Sequence, residues 1–278
     1  MSSFKTRSIS AVVFLVIVVA SLFWPLSYAV AMLFAIVLMT VEYFNMTVGK
    51  GYELEKCLSI VGEMTLFVLA FLTVKYGIDP KYLLLVFLPY MALCIVMLYN
   101  RELIADKNVD KSSHLFFPVL YIALPMTSTL LLSFHGAGYE YRLLLSIFIM
   151  IWLSDVGAYI FGMSFGQKPN SRKLCPSLSP KKSWAGFWGG VLMTFITMAV
   201  LWWTGLLDLS IWHCVAIAVI ISIFGVYGDL FESLLKRHYN VKDAGKIMPG
   251  HGGLLDRFDG ALFAIPAVVI YLKMFSII

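Results

Sequence analysis

The stretch IWHCVAIAVIISIFGVYGDLFESLLKR, residues Ile211 to Arg237, decides what kind of fold this chain adopts. It opens with 18 residues free of Asp, Glu, Lys and Arg. At the α-helical rise that length nearly crosses a hydrocarbon layer about 30 Å thick. A helix packed on a water-soluble core keeps a polar face, and this one has none. Asp229 and Glu232 then interrupt the apolar run, and Lys236 and Arg237 close it. The segment reads as a spanning helix with acids near one membrane surface. On it Asp229, Glu232, Ser233 and Lys236 fall at i, i+3, i+4 and i+7 and share one face.

The rest of the chain agrees. Of its 278 residues 60% are hydrophobic and 13% charged, against about 25% charged in average globular chains. Apolar runs near 20 residues recur throughout, so the fold class is all-α, a polytopic integral membrane protein. The runs are continuous rather than alternating, which excludes an outer-membrane barrel. Cys57, Cys94, Cys175 and Cys214 form no CxxC pair and read as small apolar fillers. The opening MSSFKTRSISAVVFLVIVVASLFW imitates a signal peptide. No clean cleavage site follows, so it reads as a first spanning helix.

Runs bounded by charge, Pro or Gly give nine spans, near 8–24, 27–46, 58–76, 80–99, 115–134, 142–163, 184–204, 211–234 and 259–277. Two parts are expected: 1–140 with spans one to five, and 141–278 with spans six to nine and the cytoplasmic loops 164–183 and 235–258. The N-terminus and the even-numbered connections hold 17 of the 21 Lys and Arg residues. Cations stay on the cytoplasmic side, so the N-terminus and both charged loops are expected there, in the inner (cytoplasmic) membrane of a cell.

Intramembrane carboxylates are costly and usually face a polar cavity or a partner. Asp155 and Asp229 are two such acids, and a simpler reading makes each a helix-end acid, hydrated or paired with a loop lysine. Glu232 and Lys236 also read as a plain i,i+4 ion pair. Between the last two spans, Ser233 to Gly260 holds five cations, three aspartates, two histidines and five glycines. His251, Gly252 and Gly253 offer backbone that can approach an anion. Asp256 and Asp259 lie three apart where the last helix begins, and helix capping is the plain alternative for either. The cations alone would suit anionic headgroups. Mixed signs favour a metal–phosphate site, in which carboxylates hold Mg²⁺ and cations hold phosphate. In the loop 164–183, SPKKSW sets Lys181, Lys182 and Ser183 at the start of span seven, where free N–H groups favour an anion. Simple positive-inside anchoring explains the same lysines equally well.

Taken together, these residues resemble the phosphatidate cytidylyltransferases, also called CDP-diacylglycerol synthases. The family signature S-x-hydrophobic-K-R-x4-K-D, then HGG, then D-R-x-D is matched by Ser233, Lys236, Arg237, Lys242, Asp243, His251, Gly252, Gly253, Asp256, Arg257 and Asp259. GDLFES, SPKKSW and DVGAYIFGMSFG extend the resemblance to roughly residues 150–260. Two positions depart from it: Met248 replaces a Leu, Ile or Phe, and Ala185 stands where the family usually has Glu.

The resemblance implies transfer of the cytidylyl group of CTP to phosphatidate, giving CDP-diacylglycerol and pyrophosphate in phospholipid biosynthesis. Its partners would be CTP, phosphatidate and bilayer lipid, with no nucleic acid, and it suggests a homodimer. Asp229 and Asp256 are the first choice for Mg²⁺, with Asp259 and Asp243 second. A further divalent or monovalent cation is compatible. Asp229, Asp256, Lys236, Arg237 and Asp259 are the expected catalytic residues. Lys181, Lys182, Ser183, Lys242, Asp243, His251, Gly252, Gly253, Arg257, Asp155, Tyr159 and Ser233 are expected to bind substrate. A CTP-dependent polyprenol-type lipid kinase is the alternative, and an ion-coupled transporter a more distant one.

Overall fold

The computed structural model describes residues 2–100, 109–136, 138–168, 171–248 and 252–278. His251 lies outside them. The chain is helical, and two compact units divide it: 1–130 with 239–257, and 131–238 with 258–278.

In the first unit α1 (Ser2–Ser21) leads to α2 (Pro25–Thr47), which starts with Pro25, a residue suited to a position where no N–H is needed. Tyr28, Met32, Ile36, Met39 and Tyr43 form the buried stripe of α2 at helical spacing. Next come α3 (Glu53–Tyr76), a 3₁₀ turn (Pro80–Val86) and α4 (Phe87–Tyr99). Gly62 lets the Tyr90 ring settle on α3, where a Cβ would lie 2.6 Å from it. Polar groups buried between α2 and α3 meet each other: Thr40 donates to Glu63 Oε2 at 2.5 Å. Between the helices, Asp79 accepts the Lys81 N–H at 2.9 Å. That bond and the Lys81 side chain hold its carboxyl below the usual range.

Then α5 (Val109–Pro118) passes through a π turn at Val119–Ala123 into α6 (Leu124–Ser133). Pro125 has no N–H to continue the α ladder, and Leu124 N–H reaches Val119 O across the wider turn.

The second unit opens with a small hairpin, β1 (Phe134–His135) and β2 (Gly138–Tyr139). Its helices are α7 (Arg142–Phe165), α8 (Trp184–Trp203), α9 (Ile211–His238) and, from Phe258 onward, α10 (Leu255–Met274). Small residues let α7 and α8 touch backbone to backbone. A Cβ on Gly157 would sit 2.6 Å from Gly189 O, and one on Gly186 would sit 2.9 Å from Ala158 O. Without a hydrophobic drive between helices in lipid, such close van der Waals contact is what associates them.

Seven helical segments among the described residues are long and apolar enough to cross a membrane, from Pro25–Thr47 to Ile211–His238. The first helix adds a shorter apolar stretch, Ile9–Ser21. The last carries Asp256, Arg257 and Asp259 in its opening turns. These nine helical regions fall on the nine runs read from the sequence. Two details differ. The last helix starts at Leu255 rather than 259, and the loop 164–183 contains a hairpin, β3 (Lys173–Cys175) with β4 (Ser179–Ser183).

Candidate active site

The acidic centre lies in the second unit. Gly228 is the reason α9 and α10 come so close there: a Cβ on it would lie 2.3 Å from Asp259 O. Gly260 meets Gly225 O in the same contact, at 3.2 Å from its own Cβ position. This approach brings carboxylate oxygens of Asp229, Glu232 and Asp259 within 4.8 Å of one another. Glu232 is fully buried, and the other two are half-buried. Asp155 on α7 adds its repulsion at Asp259.

Two lysines face these acids. Lys236 Nζ donates to Glu232 Oε2 at 2.8 Å, one turn along α9. Lys182, from the last strand before α8, is ion-paired with Asp229. Four carboxyl groups thus gather here, with Lys182 and Lys236 set against two of them. A set of oxygen donors this compact suits a hard cation, and the triad can hold a metal ion.

Other residues singled out in the sequence are arranged around this frame. Ser183 is buried and caps α8, accepting the Gly186 N–H at 3.2 Å. Lys181 is exposed, with its carbonyl accepting from Gln167 Nε2 at 2.8 Å. Arg237 Nε donates to Leu178 O at 3.3 Å and so fastens the end of α9 to the hairpin. Ser233 is buried, while Asp155 and Tyr159 are exposed.

Residues 239–257, the glycine-rich part of the signature, belong to the first unit, and there the Asp256 carboxylate faces backbone. Asp256 Oδ2 accepts N–H groups from Gly253 at 2.7 Å and from Ala244 at 3.0 Å. It reaches back from the first turn of α10, as the acid of a capping box does. Glu42 Oε2, from α2, accepts the Leu255 N–H at 2.9 Å. The glycines fit these acids closely. Gly252 has φ +83°, and a Cβ on it would lie 2.7 Å from Asp256 Oδ2. A Cβ on Gly253 would lie 2.5 Å from Glu42 Oε2, and one on Gly245 2.0 Å from Glu42 Oε1. Lys242, Asp243 and Arg257 are exposed along the segment, whereas Met248 is buried as an apolar residue should be.

Sequence reading missed Glu42 and gave Glu232 no part beyond its ion pair. The criterion that selected Asp155 and Asp229, an acid interrupting an apolar run, applies equally to Glu42 in TVEYF.

Residues 5–275 match the model of the cytidylyltransferase family. The chain belongs to that family. Its relatives include the phosphatidate cytidylyltransferase of Staphylococcus epidermidis, 41% identical over 149 residues, which cover 50% of this chain and 56% of that one. The enzyme of the same name from Bacillus subtilis is 44% identical over 128 residues, 46% of each chain. The chain spans about half the length of the curated relatives it matches.

Proposed function

We propose that the protein transfers the cytidylyl group of CTP to phosphatidate, giving CDP-diacylglycerol and pyrophosphate. The observation that carries this reading is the triad Asp229, Glu232 and Asp259 with Lys182 and Lys236 set against it. Both reactants are polyanions and repel each other, so the reaction needs a site with cations of its own and acids able to recruit another. Membership of the family and the activity for which the relatives are named support the same substrates.

In this reading a phosphate oxygen of phosphatidate attacks the α-phosphorus of CTP. The bond from that phosphorus to the bridging oxygen breaks, and pyrophosphate leaves with the electron pair. The nucleophile is already ionised near neutral pH, so no side chain has to remove a proton. Positioning and charge stabilisation dominate such displacements. Asp229, Glu232 and Asp259 would hold Mg²⁺. When bound, the ion would draw negative charge from the phosphate oxygens. Lys182, Lys236 and Arg237 would bind phosphate beside these acids, and the cytoplasmic face is where CTP arrives.

Incubation of the purified chain with Mg²⁺, phosphatidate and CTP labelled at the α-phosphorus tests the proposal. Label recovered in lipid, dependent on the divalent ion, is the expected result. Label in lipid only from γ-labelled CTP would mean kinase chemistry and overturn it. Asp256 is tested alongside, because Asn keeps an oxygen for Gly253 and Ala244 while losing the charge. Loss of turnover in Asp256→Asn keeps Asp256 among the catalytic residues, and near-normal turnover leaves it a loop fastener.

A further inference from the structure

Two consecutive residues of α2 hold the two ends of the stretch 239–255. At its far end Glu42 is buried, and its Oε2 takes the Leu255 N–H at 2.9 Å. The backbone amides of Leu254 and Ile247 face the same carboxylate. Leu255 opens α10, so its N–H has no partner within that helix. Glu42 therefore caps the helix from 213 residues away, placing a carboxyl oxygen at the positive end of the dipole. At the near end, the Tyr43 hydroxyl is hydrogen-bonded to His114 Nδ1, and His114 Nε2 to the Tyr239 hydroxyl. Between these two anchors lie Lys242, Asp243, Gly252 and Gly253, and Asp256 follows directly after the second.

This arrangement changes the meaning of the glycines. Gly245 and Gly253 leave no space for a side chain because the Glu42 carboxylate occupies it, with Cβ positions 2.0 and 2.5 Å from its oxygens. Backbone that carries free N–H groups in a concave turn would also accept a phosphate. Here the chain's own carboxylate fills part of that cradle.

We propose that Glu42 is a positioning residue for the reaction: from α2 it holds the backbone at Gly245, Ile247 and Gly253 to Leu255, and so places the neighbouring charged residues Asp243 and Asp256. The inference rests on the cytidylyl-transfer reading for its kinetic consequence, but not for its geometry. A carboxylate that merely filled space would affect stability alone. One that sets the shape of a reacting segment affects turnover in molecules that remain folded.

The test uses the full chain in detergent, comparing wild type with Glu42→Ala, Glu42→Gln and Gly253→Ala, and with Gly253→Ala combined with Glu42→Asp. In Glu42→Ala, kcat for labelled CTP should fall at least about tenfold while KM for either substrate moves less than about threefold, the pattern of a lost transition-state interaction. Glu42→Gln keeps an oxygen for Leu255 and should recover at least about a third of the wild-type kcat. Should Glu42→Ala fail to fold, the glycine pair reads the same contact. Gly253→Ala alone should lose at least about tenfold, and shortening the acid by one methylene in the double variant should return threefold or more.

Turnover of folded Glu42→Ala within about twofold of wild type would overturn the proposal. So would a double variant no better than Gly253→Ala. If the wild type itself puts no label into lipid, the cytidylyl-transfer reading has failed instead. Hydrogen exchange then decides the geometry: the Leu255 amide should be protected in wild type and exposed in Glu42→Ala, and equal exchange in both rejects the cap.

Discussion

The two acidic regions of this protein use carboxylates in opposite ways. Glu42 and Asp256 turn their oxygens on backbone amides, which are fixed partial positive charges that neither titrate nor leave. Asp229, Glu232 and Asp259 gather theirs within 4.8 Å of one another, with Lys182 on Asp229, Lys236 on Glu232 and the Gly260 N–H on Asp259 at 2.7 Å. The first kind satisfies donors that burial would otherwise strand. The second keeps repulsion in place, and like charges held together are a mark of a site prepared for a ligand of opposite sign. Burial alone does not separate them, since Glu42 and Glu232 are both buried. What surrounds each oxygen does.

The strongest way to break this contrast is Asp259→Asn. It keeps the shape and removes one charge from a group that Asp229, Glu232 and Asp155 all repel. Loss of one preorganised electrostatic contact costs about 10²–10³ in kcat in well-studied sites, and a fall of that order is expected in the labelled-CTP assay. The thermal midpoint in detergent should stay level or rise, because stored repulsion is released. A variant that turns over normally but melts early would put Asp259 with the structural acids instead.

A smaller effect is expected where the two helices approach. In Gly228→Ala the new methyl meets Asp259 O, 2.3 Å from its Cβ position. Overpacking of this kind costs about 1–3 kcal/mol, and separation of α9 from α10 should also loosen the triad. Gly225→Ala is the control, since a Cβ there meets nothing within 4 Å. Thermal midpoints and Mg²⁺-dependent rates of the pair should differ clearly, and equal behaviour would mean that close approach is not what assembles the acids.

How much of this was legible in the sequence follows from the range of each interaction. Helices were readable because lipid demands long apolar runs, and those runs are local. Asp229 stood out for the same reason, and Glu232 was visible on its face through helical spacing. The strands β3 and β4 were not readable: they are three and five residues long, and β4 includes Pro180, so neither alternation nor propensity marks them. The start of the last helix was placed late because Leu254 and Leu255 follow glycines rather than a capping side chain. Its cap is Glu42, 213 residues earlier. A backbone amide has no letter in the sequence, so an acid that serves one leaves no pattern to find. The same limit applied to Gly253, whose lack of a side chain read as room for an anion until the occupant of that room was located.

The smallest expected effect concerns Ser183, which stands between the two classes. Its hydroxyl accepts the Gly186 N–H at the start of α8, beside Lys182 on Asp229. Ser183→Ala removes the cap, and such losses cost about 1 kcal/mol. If capping is its whole task, denaturation should shift by that amount while kcat and KM of the folded protein hold steady. Ser183→Thr keeps an oxygen for Gly186, but a Cβ on Gly166 would lie 1.8 Å from Ser183 Oγ, so the neighbourhood is tight. Thr should therefore restore the cap only in part. A rise in KM for CTP in Ser183→Ala, beyond the change in stability, would instead move this hydroxyl to the side of the residues that meet phosphate.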